Sequence, residues 1–212
     1  MTDRLSIYND ALLLCGERAL SSLTEDREPR RLLDQAWNSN GVRKCLEQGQ
    51  WGFAMRTVMI DYDPAIEPDF GFRRAFDKPT DWVLTSALCS DEYFKSPLLD
   101  YFDEAQYWYA DIDAIYVRYV SSDTNYGFDY NKWPDSFQEF VAAYFAAKVV
   151  LKISNDANKT KTVLALAEKL KRDAKNRSAM ADAPKFPAPG MWASARMRNR
   201  YGDRGNRGSL TG

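Results

Sequence analysis

Few residues in this chain have types and spacings suited to chemistry. Two acid pairs at i, i+2, Asp61/Asp63 and Asp111/Asp113, would face one side of a strand and could share a divalent ion. Both sit at strand ends beside turn residues, where solvated carboxylates are ordinary, so no metal is assigned to them. Asp77, Asp81 and Glu92 have the chemistry of general acids or bases. Nothing near them in sequence distinguishes them from surface carboxylates. The 212 residues contain no histidine. That removes Ser–His and Cys–His nucleophile pairs, HExxH metal sites and the commonest base near neutral pH. G-x-G-x-x-G, G-x-x-x-x-G-K-[ST], G-x-S-x-G and the D-x-D-x-D-G calcium loop are also missing. The chain is therefore read as non-enzymatic, with no cofactor and no metal. Cys15, Cys45 and Cys89 are odd in number and form no CxxC pair. Cys15 and Cys45 fall on apolar helical stripes, which predicts buried reduced thiols.

The other chemically marked stretch is "MWASARMRNRYGDRGNRG", residues 191–208. It holds five arginines against one acid, in a chain whose net charge is −1. Before it, "ADAPKFPAPG" carries Pro184, Pro187 and Pro189, which predicts an extended linker. Phosphate contacts would need only the cations Arg196, Arg198, Arg200, Arg204 and Arg207. The interleaved Phe186, Met191, Trp192, Met197 and Tyr201 are anchors of the kind a protein groove takes. The favoured reading is a docking peptide. A DNA-touching segment with an RGG-like "RGNRG" and a solvated tail are the alternatives.

Position in the chain is set by the elements around these residues. Ser6 is a natural N-cap, Leu5, Tyr8, Ala11, Leu12 and Cys15 recur at helical spacing, and Gly16 is a stop. A second helix is predicted from about Pro29 to Gln48, weakened at Gly41 and ended by Gly49. "FAMRTVMIDYD", "FRRAF", "DWVLTSAL", "LLDYFD", "AQYWYAD" and "AIYVRYV" read as short strands of one small antiparallel sheet, with the last two as a hairpin. A third helix opens at Pro134-Asp135, with Gln138 or Glu139 as capping-box partners, and carries the stripe Phe137, Phe140, Val141, Tyr144, Phe145, Lys148, Val149. A fourth spans about Ala157 to Ala179 on Leu164, Ala167, Leu170, Lys171 and Ala174, its other face rich in Lys and Arg.

The expected fold is thus α+β, mainly α: a four-helix body with an inserted small antiparallel β-sheet and an extended C-terminal arm. Residues 1–50 are the first half of the helical body and 51–133 the inserted β region. Residues 134–180 are its second half and 181–212 the arm. No window is long and apolar enough for a membrane span, so no membrane partner is expected. Tyr107, Trp108, Tyr109, Tyr116 and Tyr119 alternate with polar groups. They read either as cross-strand core packing or as subunit-interface candidates.

Four segments in order carry a family resemblance. "YNDALLLCGERALSSLTED" contributes Asn9, Ala11, Leu12, Gly16, Glu17, Ser22 and Leu23. Trp51, Phe53 and Ala54 follow the second helix. "FRRAFDKPTDW" contributes Pro79, Asp81 and Trp82, and "WPDSFQEFVAAYFAAKVV" closes the series. Together they resemble the tail tubular protein A family, the head-to-tail adaptors of short-tailed bacteriophages. The resemblance covers about residues 5–175 and does not reach the arm. It implies a structural virion protein that forms a ring, usually of twelve copies, between the portal at the capsid vertex and the tail nozzle. It also implies assembly in a bacterial cytoplasm. The expected partners are other copies of the chain, the portal protein, the nozzle protein, and double-stranded DNA that passes during genome retention and ejection without sequence-specific binding. A nucleic-acid-binding module using the basic arm is the alternative.

Overall fold

Asp3 and Ser6 start the first helix together. In the computed structural model, which describes residues 3–69 and 71–181, the Asp3 carboxylate accepts from the Ser6 amide at 2.8 Å. The Ser6 hydroxyl accepts from the Asp3 amide in return. This reciprocal box makes Asp3 the N-cap of α1 (Arg4–Cys15). Ser6, expected as the cap, is instead its third-position partner. Gly16 ends α1 at φ 66°, a left-handed conformation in which its N–H returns to the helix carbonyls.

The single helix expected over Pro29–Gln48 is two helices, α2 (Glu28–Asn38) and α3 (Gly41–Leu46). The break falls at Asn40, which is left-handed at φ 62°. Packing explains why Gly follows. A Cβ on Gly41 would lie 2.7 Å from the Ala36 carbonyl oxygen and 2.7 Å from the Phe145 ring. Gly41→Ala should therefore cost about 1–3 kcal/mol by overpacking. A denaturant midpoint unchanged from wild type would contradict this account.

After Trp51 a 3-10 turn, Gly52–Ala54, leads into six strands: β1 (Met55–Asp61), β2 (Arg74–Asp77), β3 (Trp82–Cys89), β4 (Phe102–Asp103), β5 (Tyr107–Ala110) and β6 (Ala114–Ser121). They form two antiparallel three-stranded sheets rather than one. The first has the order β1-β6-β3 and the second β2-β5-β4. The expected β5–β6 hairpin does not form. β5 pairs with β2 and β4, and β6 pairs with β1 and β3. The short Asp111–Asp113 link carries the chain from one sheet to the other.

α4 (Asp135–Ser154) and α5 (Ala157–Ala181) return the chain to helix. The capping box expected at the start of α4 is absent. Pro134 takes the N-cap position, and the Gln138 amide group reaches back to the Trp133 carbonyl at 2.9 Å. On α5 the buried residues are Val163 and Ala174, with Leu170 half-buried. Leu164, assigned to the inward stripe, is one position off and is 48% exposed.

Two hydrophobic cores result. The first joins the helices: Ile7, Leu12, Cys15, Cys45, Trp51, Phe137, Phe145 and Val163 are among its buried members. The second lies between the sheets and holds Phe76, Leu88, Trp108, Ile115, Val117 and Tyr119. Among the described residues helix outweighs strand, 45% to 19%, so the fold is α+β and mainly α. Among the described residues, five helices and two sheets stand where four helices and one sheet were expected. The chain divides into two units, Met1–Ala181 and Asp182–Gly212. Every arm residue named above falls in the second unit and outside the described residues.

Candidate interaction surfaces

β5 alternates strictly, half-buried at Tyr107 and Tyr109 and buried at Trp108 and Ala110. Residues paired across an antiparallel ladder share a face. Phe76 opposes Trp108 on the inner face, whereas Asp77 opposes Tyr107 and Phe102 opposes Tyr109 on the outer one. Phe102 is 57% exposed and meets Phe72 edge to face at 5.1 Å. Tyr107 and Tyr109 lie 6.1 Å apart. Partial burial raises the Tyr109 hydroxyl above its ordinary pKa, and the Glu104 and Asp69 carboxylates add to the shift. The outer face of the second sheet is therefore an aromatic surface rimmed by acids.

This separates the five interface candidates. Tyr107 and Tyr109 stand on the second sheet's outer face. Tyr116, half-buried, opposes the exposed Met59 on the first sheet's other side. Trp108 and Tyr119 are fully buried in the inter-sheet core and have no surface to offer a neighbour. For those two the core-packing reading holds.

Asp81 is not a surface carboxylate. It accepts hydrogen bonds from Arg56 at 2.9 Å, from the Tyr119 hydroxyl at 3.1 Å and from the Ser121 hydroxyl. Its own carbonyl accepts from the Ser122 amide at 2.7 Å. Burial alone would raise its pKa. The hydrogen bonds from Ser121 and Arg56 and the Arg56 charge outweigh burial, so the net shift is below the ordinary carboxylate value. Every polar atom that faces this carboxylate holds it in place, so the cluster ties β1, β3 and β6 together. Lys78, which sequence reasoning passed over, is only 5% exposed at its side chain and pairs with Asp103. Its ammonium lies 4.0 Å from the Trp82 ring centroid. A lysine flanked by tryptophans two strands apart leaves no local periodicity that would have revealed it.

The remaining acids do not converge. Asp63 accepts from the Ala65 amide at 2.8 Å, Asp111 from the Arg73 amide at 2.8 Å, and Asp113 pairs with Arg74 at 2.9 Å. Asp77 and Glu92 are exposed. Among the described residues no group of three or more His, Cys, Asp or Glu could hold a metal ion. Cys15, Cys45 and Cys89 are all buried. Burial pushes the Cys15 and Cys45 thiols up, away from the reactive thiolate. A groove of about 210 Å³ between α2 and α4, lined by Leu32, Ala36, Val149, Lys148 and Lys152, is smaller than the range that holds a drug-sized ligand. No described helix is long and apolar enough to cross a membrane.

α5 presents the opposite charge. It carries seven Lys or Arg against two acids. Lys161, Lys169, Arg172 and Lys175 are exposed and form no ion pair among the described residues. What these elements define is a mainly α, α+β protein with broad, oppositely charged faces and no convergent catalytic cluster among the described residues. No protein-family model matches the chain, and no curated protein matches it.

Proposed function

We propose that this protein is a structural virion component, a ring-forming head-to-tail adaptor that joins a portal vertex to a tail nozzle and extends the DNA channel between them. The observation that carries the reading is an arrangement in which the four resembling segments fall on successive parts of one compact unit. The first covers α1 and the turn after it. Trp51, Phe53 and Ala54 cross from helices to sheets. "FRRAFDKPTDW" spans β2 to the start of β3 and holds the Asp81 cluster. "WPDSFQEFVAAYFAAKVV" forms most of α4. Non-overlapping acidic and basic faces suit a head-to-tail ring contact, in which two different patches of one subunit must be complementary. The partners are other copies of the chain, the portal and the nozzle, and DNA is a passenger.

The reading is tested by mixing the full chain with its cognate portal protein and measuring the mass of the product. A complex of defined stoichiometry is expected. Two components that stay separate at all concentrations would sink the adaptor reading. The free cations of α5 favour one second reading, a nucleic-acid-binding module. It requires that affinity for duplex DNA fall linearly with log salt, and the absence of DNA binding at low salt would remove it.

A further inference from the structure

The acidic charge of the chain is concentrated in the segment that holds the sheets and the loops between their strands. Residues 61–113 hold thirteen Asp or Glu against four Lys or Arg, whereas the next-to-last segment, α5, is basic. Around the second sheet Asp77 at the end of β2, Glu104 just after β4 and Asp69 in the loop before β2 are exposed and have no ion-pair partner among the described residues. They border the aromatic surface of Phe102, Tyr107 and Tyr109. Aromatic faces beside carboxylates attract cations twice over, through the ring quadrupole and through charge.

The same molecule already satisfies this chemistry from within. Lys78 sits on Trp82 while pairing with Asp103, and Arg74 lies 3.8 Å from the Tyr62 ring centroid while pairing with Asp113. The outer face of the second sheet repeats the aromatic and acidic half of that arrangement without the cation.

We infer that this face receives the cationic stripe of α5 from a second copy of the chain. Lys161, Lys169, Arg172 and Lys175 fall on one side of α5, opposite the inward-facing Val163, Leu170 and Ala174. At 1.5 Å per residue the stripe is ~21 Å long. A three-stranded sheet is only ~10 Å wide across its strands, so the helix spans it with cations to spare. The two patches lie on different elements and differ in charge, so they can be used head to tail: each copy offers its sheet to one neighbour and its helix to the other, the heterologous arrangement that the adaptor reading calls for. This inference rests on the adaptor reading for its biological setting and names the contact by which the ring closes.

The test is charge exchange in the full chain, read as oligomer mass with and without portal. Reversing the sheet (Asp69→Lys, Asp77→Lys, Glu104→Lys) should weaken self-association roughly 3- to 150-fold, as three exposed pairs at about 0.2–1 kcal/mol each imply. Reversing the helix (Lys161→Glu, Lys169→Glu, Arg172→Glu) should do the same. Both reversals in one chain leave the net charge at the wild-type value and should restore assembly. Wild-type assembly should weaken as salt rises from ~0.1 M to ~1 M, where the Debye length shrinks from about 10 to 3 Å. All six residues are exposed, and unchanged circular dichroism would confirm that each variant is folded.

If the single reversals assemble like wild type, or the combined variant fails to recover, the contact is elsewhere and the inference falls while the adaptor reading stands. If helix reversal abolishes DNA binding but leaves self-association untouched, α5 faces nucleic acid and the inference falls. If the wild-type chain forms no defined oligomer, alone or on portal, both readings fall together.

Discussion

Trp51→Ala is expected to destabilise the protein by about 3–5 kcal/mol, the range for removing a buried large aromatic. Trp51 is 1% exposed. Its ring meets Phe137 at 4.7 Å and Phe140 at 6.0 Å between centroids. Its indole N–H donates to the Leu46 carbonyl at 3.0 Å and also reaches Cys45. Those carbonyls belong to the last turn of α3, where the regular helix ladder runs out and the amides just beyond it supply only long bonds. The substitution thus empties a large volume and removes the indole donor from two carbonyls that keep the Gln48 and Gly49 amides, at 3.2 and 3.4 Å. Total stabilities are typically about 5–15 kcal/mol, so the loss is a large fraction of the whole. Urea unfolding followed by circular dichroism would measure it. Trp51→Phe separates the parts: it retains most of the ring contacts and loses the hydrogen bonds, so it should cost about 1–3 kcal/mol. A Trp51→Ala midpoint near wild type would show that the first core does not depend on this ring.

The Asp81→Asn variant should lose about 2–4 kcal/mol, because Arg56, Tyr119 and Ser121 would keep their donors while the charge they address is gone. The Asp81 side chain is only 13% exposed, so solvent does little to compensate. The substitution preserves shape, which confines the effect to charge and hydrogen bonding. It also changes the acid limb of stability. The folded carboxylate titrates below its ordinary value, so its contribution is complete above the unfolded pKa of ~3.9 and is lost as pH falls through the lower folded value. Between neutral pH and about pH 4 the difference between wild type and Asp81→Asn should stay constant, and below that it should shrink. A difference that grew on acidification would reverse the sign and refute the assignment.

Much of the helical architecture was legible because caps and period are local. Gly16 as a stop, Pro134 near a start and the Phe137–Phe140–Val141–Phe145 stripe each depend on residues within a few positions. The break at Asn40 was only half legible: Gly41 marked a weak point, but the close approach of Phe145 that demands a glycine there comes from more than a hundred residues on. Strand positions could be read from alternation, but partners could not. β5 and β6 are adjacent in sequence and look like a hairpin, yet inner residues of both feed the same core from opposite sheets, an arrangement with the same period-two pattern. Asp81 was hidden for a related reason. Its partners lie 25 to 40 residues away, so a carboxylate between Thr80 and Trp82 looked like any other. The aromatic face beside Phe102 was obscured by the brevity of β4, two residues with no period to detect.

β6 is shared property. Tyr119 belongs to the core between the sheets, and its neighbour Val120 belongs to the core of the helices. Neither core can loosen without disturbing a strand that the other needs. The helices and sheets should therefore melt as a single cooperative block, with a load applied to the sheets borne by the helices.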